Sequence, residues 1–94
     1  MYNFLGSKTN LYLLEKMRPE IKSYKEKRIR AMGQKLREAR LEAGWTQKEV
    51  AKYLGYSRFH MVRVEQGLNI LDLPEMELLA DAFGVPVCNI TQRD

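Results

Sequence analysis

The segment Gln47–Gln66, QKEVAKYLGYSRFHMVRVEQ, leaves this chain few ways to fold. A glycine, Gly55, separates two helix-forming stretches, and a small residue, Ala51, stands one turn before it. Large apolar side chains recur at Val50, Leu54, Tyr56, Met61 and Val64. Two short helices that cross steeply touch near the position of Ala51, where a large side chain would push them apart. The tight turn between them needs a left-handed residue, which glycine adopts without a Cβ clash. The five apolar positions then seal both helices onto one shared core. A pair of helices joined by a three-residue turn meets all of these demands together.

The flanking residues carry matching punctuation. Thr46-Gln47-Lys48-Glu49 is a capping box, with Trp45 and Val50 as a hydrophobic staple around it. Ser57 caps the next helix, Arg58–Gln66, and Gly67 ends it. Upstream, Leu36, Ala39, Arg40 and Ala43 share one helical face that Gly44 closes. Downstream, Asp72 caps a fourth helix with Pro74 in its first turn and Leu73, Met76, Leu79, Ala80 and Phe83 on its apolar face. Gly84 ends that helix, and a short turn follows over Pro86–Ile90. Residues 1–10 read as irregular. Leu11–Arg18 reads as a short helix capped by Thr9 or Asn10, and Pro19 as the first turn of another. That helix runs through Ile21, Tyr24, Arg28 and Met32 and either continues past Gly33 or stops there. Nothing alternates as a strand would, so the class is all-α.

With these residues in view, the chain resembles the phage repressor and Cro-like family, also called lambda-repressor-like or XRE helix-turn-helix. The likeness runs from about Met32 to Ile90 and includes GQKLREARLEAG before the motif, Glu65-Gln66-Gly67 after it, and LPEMELLADAFGV as a fourth helix. It implies a five-helix DNA-binding domain over residues 32–94, preceded by a basic, partly helical extension over residues 1–31.

A helical wheel at ~100° per residue separates the roles in the third helix. Met61 and Val64 mark the core direction. Phe59, Val62, Arg63 and Gln66 point the other way, with Arg58 at the edge. The resemblance places base reading at Ser57, Arg58 and Phe59 and one turn on at Arg63. Arginines there suit guanine O6 and N7, and Phe59 and Val62 suit thymine methyl groups. Gln47 matches the family's glutamine at the start of the second helix, where an amide and free backbone N–H groups suit a phosphate. Lys35, Thr46, Lys48, His60 and Gln66 are further phosphate candidates. Arg40 and Glu65 occupy positions that pair in some relatives, which implies a partly buried salt bridge. The family's dimer seam maps to Phe83, Val85, Val87 and Ile90. Many relatives carry basic residues after the recognition helix, whereas Leu68-Asn69-Ile70-Leu71 contains no cation. Of these, Leu68 reads as a core residue, and Ile70 and Leu71 as exposed.

Charge gives the reading an orientation. The net charge of +4 divides into +5 over residues 1–30, +3 over 31–67 and −4 over 68–94. The basic side suits an anionic partner, and the acidic fourth helix should face away from DNA. Double-stranded DNA is therefore the expected partner, met by a homodimer. The function expected is sequence-specific regulation of transcription, repression above all, on an inverted repeat. The alternative is an antitoxin or adaptor that binds a protein through residues 11–30 or the 68–71 loop. The extension itself admits three roles: packing on its own domain, pairing subunits through Leu14, Met17, Ile21 and Tyr24, or lying along DNA through Lys22, Lys25, Lys27, Arg28 and Arg30.

One cysteine, Cys88, and one histidine, His60, rule out an intramolecular disulfide and a Cys/His zinc site. No catalytic constellation, cofactor or metal is expected, nor is a membrane span or a secretory signal. A cytoplasmic, bacterial or phage-encoded protein is the simplest expectation.

Overall fold

Five α-helices follow one another: α1 (Phe4–Ala43), α2 (Gln47–Leu54), α3 (Arg58–Glu65), α4 (Leu73–Phe83) and α5 (Cys88–Thr91). This computed structural model describes the backbone of residues 4–93 and the side chains of residues 19–93. Among those residues there is no strand, and no helix is long and apolar enough to cross a membrane.

Each short helix begins where its first residues dictate. The Thr46 hydroxyl accepts from Glu49 N at 3.0 Å while the Glu49 carboxylate accepts from Thr46 N at 2.8 Å. Asp72 and Glu75 repeat this reciprocal cap at α4, and Ser57 Oγ accepts from His60 N at α3. Each cap satisfies backbone donors that the first turn would leave orphaned. Gly55 closes α2 at φ 81°, and its N–H and that of Tyr56 turn back onto the carbonyl of Ala51.

The core is one cluster: Leu36, Ala39, Val50, Ala51, Met61, Val64, Leu71, Met76, Leu79, Ala80, Phe83 and Ile90. Trp45 lies against it and meets Tyr53 and Phe83 edge-on, with ring centroids 5.6 and 5.5 Å apart. The turn before α2 is thereby tied to α4.

Several expectations are corrected here. The extension and the domain's first helix are a single element, α1: the chain does not divide into separate helices at Pro19, and of the two alternatives at Gly33 the helix continues. The helix begins at Phe4, so neither Thr9 nor Asn10 caps it, and residues 4–10 are helical rather than irregular. Pro19 lies inside α1. Proline removes one backbone bond there, and the hydrogen-bond ladder resumes on either side. In the loop after α3, Leu68 is 59% exposed and Leu71 only 2%, the reverse of the expectation for those two. The N–H groups of both Leu68 and Asn69 fold back onto the Arg63 carbonyl. That turn directs Leu68 outward and delivers Leu71 to the core. Ala43 and Leu73, assigned to apolar faces, are exposed. The side chains of Leu14 and Met17 lie outside the described residues.

Candidate nucleic-acid interface

The centre of the site is a polar hub under the helix pair. Arg40 Nε donates to Glu65 Oε2 at 2.6 Å, and Arg40 Nη2 donates to Glu65 Oε1 at 3.0 Å. Arg40 Nη1 donates to the Trp45 carbonyl at 2.8 Å, and Gln47 Nε2 donates to Glu65 Oε1 at 3.0 Å. One fork thus joins α1, the entry to α2 and the end of α3. The Arg40 and Glu65 side chains keep only 8% and 3% of their exposure. A pair so deeply desolvated fixes geometry more surely than it adds stability.

A second close approach involves glycine. A Cβ on Gly33 would stand 2.4 Å from the Val64 carbonyl oxygen, so only glycine lets α1 pass this near the backbone of α3. Glycine inside a helix costs roughly 1 kcal/mol relative to alanine. Here the cost accompanies a helix crossing that a side chain would block.

The outer side of α3 follows from these constraints. Met61 and Val64 are buried, so Arg58, Phe59 and Gln66 are exposed on the opposite side. Phe59 is 68% exposed, and the Arg63 guanidinium lies 5.7 Å from its ring centroid. That distance is within the reach of a cation–π contact.

This geometry agrees with comparison to known families. Residues 31–91, roughly two thirds of the chain, match the model of a helix-turn-helix domain. The chain belongs to the lambda-repressor-like, Cro/C1-type helix-turn-helix family. No curated protein gives a significant match.

The helix-turn-helix domain distributes its expected site residues unevenly. Ser57, Arg58, Phe59, Arg63 and Gln66 lie together along α3, with Arg63 half-buried and the other four exposed. Val62 is also half-buried, less available than the wheel suggests. Thr46 and Lys48 are exposed at the start of α2, beside Gln47. Gln47 uses one amide proton on Glu65 and keeps the second.

Three groups depart from expectation. Lys35 Nζ donates to the Gln92 carbonyl at 2.6 Å, so it caps the end of α5 and does not stand free at the surface. His60 stacks on Tyr56 with centroids 4.2 Å apart, Nδ1 faces Asn69 at 3.4 Å, and Nε2 is buried without a partner among the described residues. Its ring nitrogens are turned inward, away from a phosphate. Phe83 and Ile90 belong to the core, and Val85 and Val87 pack against it. Phe83, at the end of α4, packs on Trp45, and Ile90, in α5, is fully buried, so within one subunit both are already covered.

Two features of this site escaped the sequence reading. Arg28 Nη2 donates to the Thr91 carbonyl at 2.6 Å and, with Lys35, fastens α5 to α1. The Tyr56 hydroxyl donates to the Glu75 carboxylate, which joins the α2–α3 turn to α4. That bond, then burial and the nearby acidic charges, raise the Tyr56 phenol above its ordinary value of 10.0. Neither partner pair has a local spacing that would mark it in advance.

Proposed function

We propose that the chain is a sequence-specific regulator of transcription, a repressor, that binds an inverted-repeat operator as a homodimer. The observation that carries this reading is the outward face of α3: Arg58 and Phe59 at its exposed start, and Arg63 laid along the Phe59 ring. A recognition helix meets base edges with its N-terminal residues. The two arginines are guanine readers, and Phe59 meets a thymine methyl. Lys48, the Thr46 hydroxyl, the remaining Gln47 proton and Gln66 hold phosphates and set the register. Eight residues read few base pairs, so two copies one DNA turn apart, ~34 Å, supply the specificity.

The test is binding to the promoter DNA of the protein's own operon and to random DNA across a salt series. Preference for the promoter is the expected result, and equal affinity at every salt concentration would sink the reading. Arg63→Ala should flatten the preference, and Lys48→Ala should weaken all sequences alike.

A second reading, an antitoxin or adaptor, is favoured by the exposure of Leu68 and Ile70 in the loop beyond α3. Apolar side chains grouped at a surface suit a protein partner. Co-purification with the product of a neighbouring gene supports it, and a lone homodimer counts against it.

A further inference from the structure

We propose that Arg30 and Arg37, with Lys27 one turn beyond, form a second phosphate-binding strip on the flank of α1, taken up by the DNA backbone where α3 leaves the groove. The proposal rests on the DNA-binding reading of α3 and extends it to a helix outside the recognised pair.

Gly33 supplies the reference line. Its missing Cβ faces the Val64 and Glu65 carbonyls, so this side of α1 is pressed against the end of α3. At ~100° per residue, Ile29, Leu36 and Met32 lie about 40–100° to one side of that line. These residues are buried or half-buried. Further round on the same side, Arg28 and Lys35 bind the end of α5. Arg37, Arg30, Gln34 and Lys27 lie about 40–120° to the other side, and all four are exposed. The core and α5 fill one flank of the α1–α3 seam. The polar strip therefore occupies the flank from which α3 presents its outer face.

Gly67 places Arg30 more closely. A Cβ on Gly67 would stand 2.5 Å from Arg30 Cγ and 2.8 Å from Arg30 Cα. The stem of Arg30 thus lies across the residue that ends the α3 turn. An eight-residue helix is ~12 Å long, about the width of the major groove. With its N-terminus at the bases, its other end emerges beside the sugar–phosphate backbone. The loop at that end, residues 68–71, contains no cation. Arg30 is brought there from another helix. Neither Arg30 nor Arg37 has a hydrogen-bond or ion-pair partner among the described residues, so both guanidinium groups are available.

The experiment measures the salt dependence of binding to a random-sequence duplex of about 30 base pairs by fluorescence anisotropy. It compares the full chain with two variants of equal charge loss on the same helix, Arg30→Gln/Arg37→Gln and Lys22→Gln/Lys25→Gln. Each phosphate contact contributes ~0.9 to the slope of log affinity against log salt. For each bound subunit the arginine pair should lower the slope by about 2 and Arg30→Gln alone by about 1, twice as much for a bound homodimer, with the lysine pair changing it little. Thermal melts confirm that the variants fold. An unchanged slope in the arginine variant, or an equal fall in both pairs, overturns the strip while leaving α3 as the DNA reader. Failure of the unaltered chain to bind duplex DNA would overturn the DNA reading itself, and the strip with it.

Discussion

From Gly33 onward one face of α1 is enclosed by its neighbours: Leu36, Ala39 and Arg40 are all buried. From Pro19 to Lys27 the same helix stands in solvent, with Ile21 41% and Tyr24 48% exposed. Both halves have helical backbone, yet different physics holds them. The enclosed half draws its stability from packing, which supplies most helical stability in proteins. The outer half has only backbone bonding and one described ring contact, the Arg93 guanidinium 5.6 Å from the Tyr24 ring centroid. Helix in one half is a consequence of the domain, and in the other it is a continuation of it.

Substitutions along this contrast should fall in a steep order. Glu65→Ala is the most damaging, because it strands the buried Arg40 guanidinium. A loss of ~3–5 kcal/mol is expected in urea unfolding, and a loss below ~1 kcal/mol would show that the hub does not clamp the enclosed half. Gly33→Ala comes next. Although alanine is the better helix former, its Cβ meets a backbone oxygen of α3, and a net loss of ~1–3 kcal/mol is expected. Arg28→Gln, at the border between the halves, removes the bond to the Thr91 carbonyl. It should cost about 1 kcal/mol and speed amide exchange in α5 more than in α3. Ile21→Ala in the outer half should stay within ~0.5 kcal/mol. A larger loss that grows with protein concentration would show instead that a second copy covers this face.

How far the fold was legible follows the same division between local and distant causes. Thr46, Ser57 and Asp72 announce helix starts because a cap binds backbone only three residues away. Met61 and Val64 announce the core side of α3 because helical geometry fixes their direction relative to Phe59. The meaning of Gly33 was not legible. An interior glycine reads equally as a break or as a close approach, and only the position of α3 decides between them. Leu68 and Leu71 were exchanged for a related reason. A loop has no period, and the inward residue is chosen by where the backbone turns. Phe83 and Ile90 are apolar whether they meet a second subunit or their own core. Lys35 and Arg28 looked like free cations because the carbonyls they bind are more than fifty residues away.

The hub at Arg40 and the bare contact at Gly33 also make α1 a lever. They pin it to α3 at points seven residues apart, about two helical turns, so it has little freedom to slide or roll. Ile21 stands ~18 Å along the axis from Gly33. A lateral displacement of ~3 Å at Ile21 would tilt a rigid rod of that length by about 10°, and the reading helix would turn with it. Whatever grips the outer arm, whether another protein or the DNA itself, would therefore act on the aim of α3 without touching it.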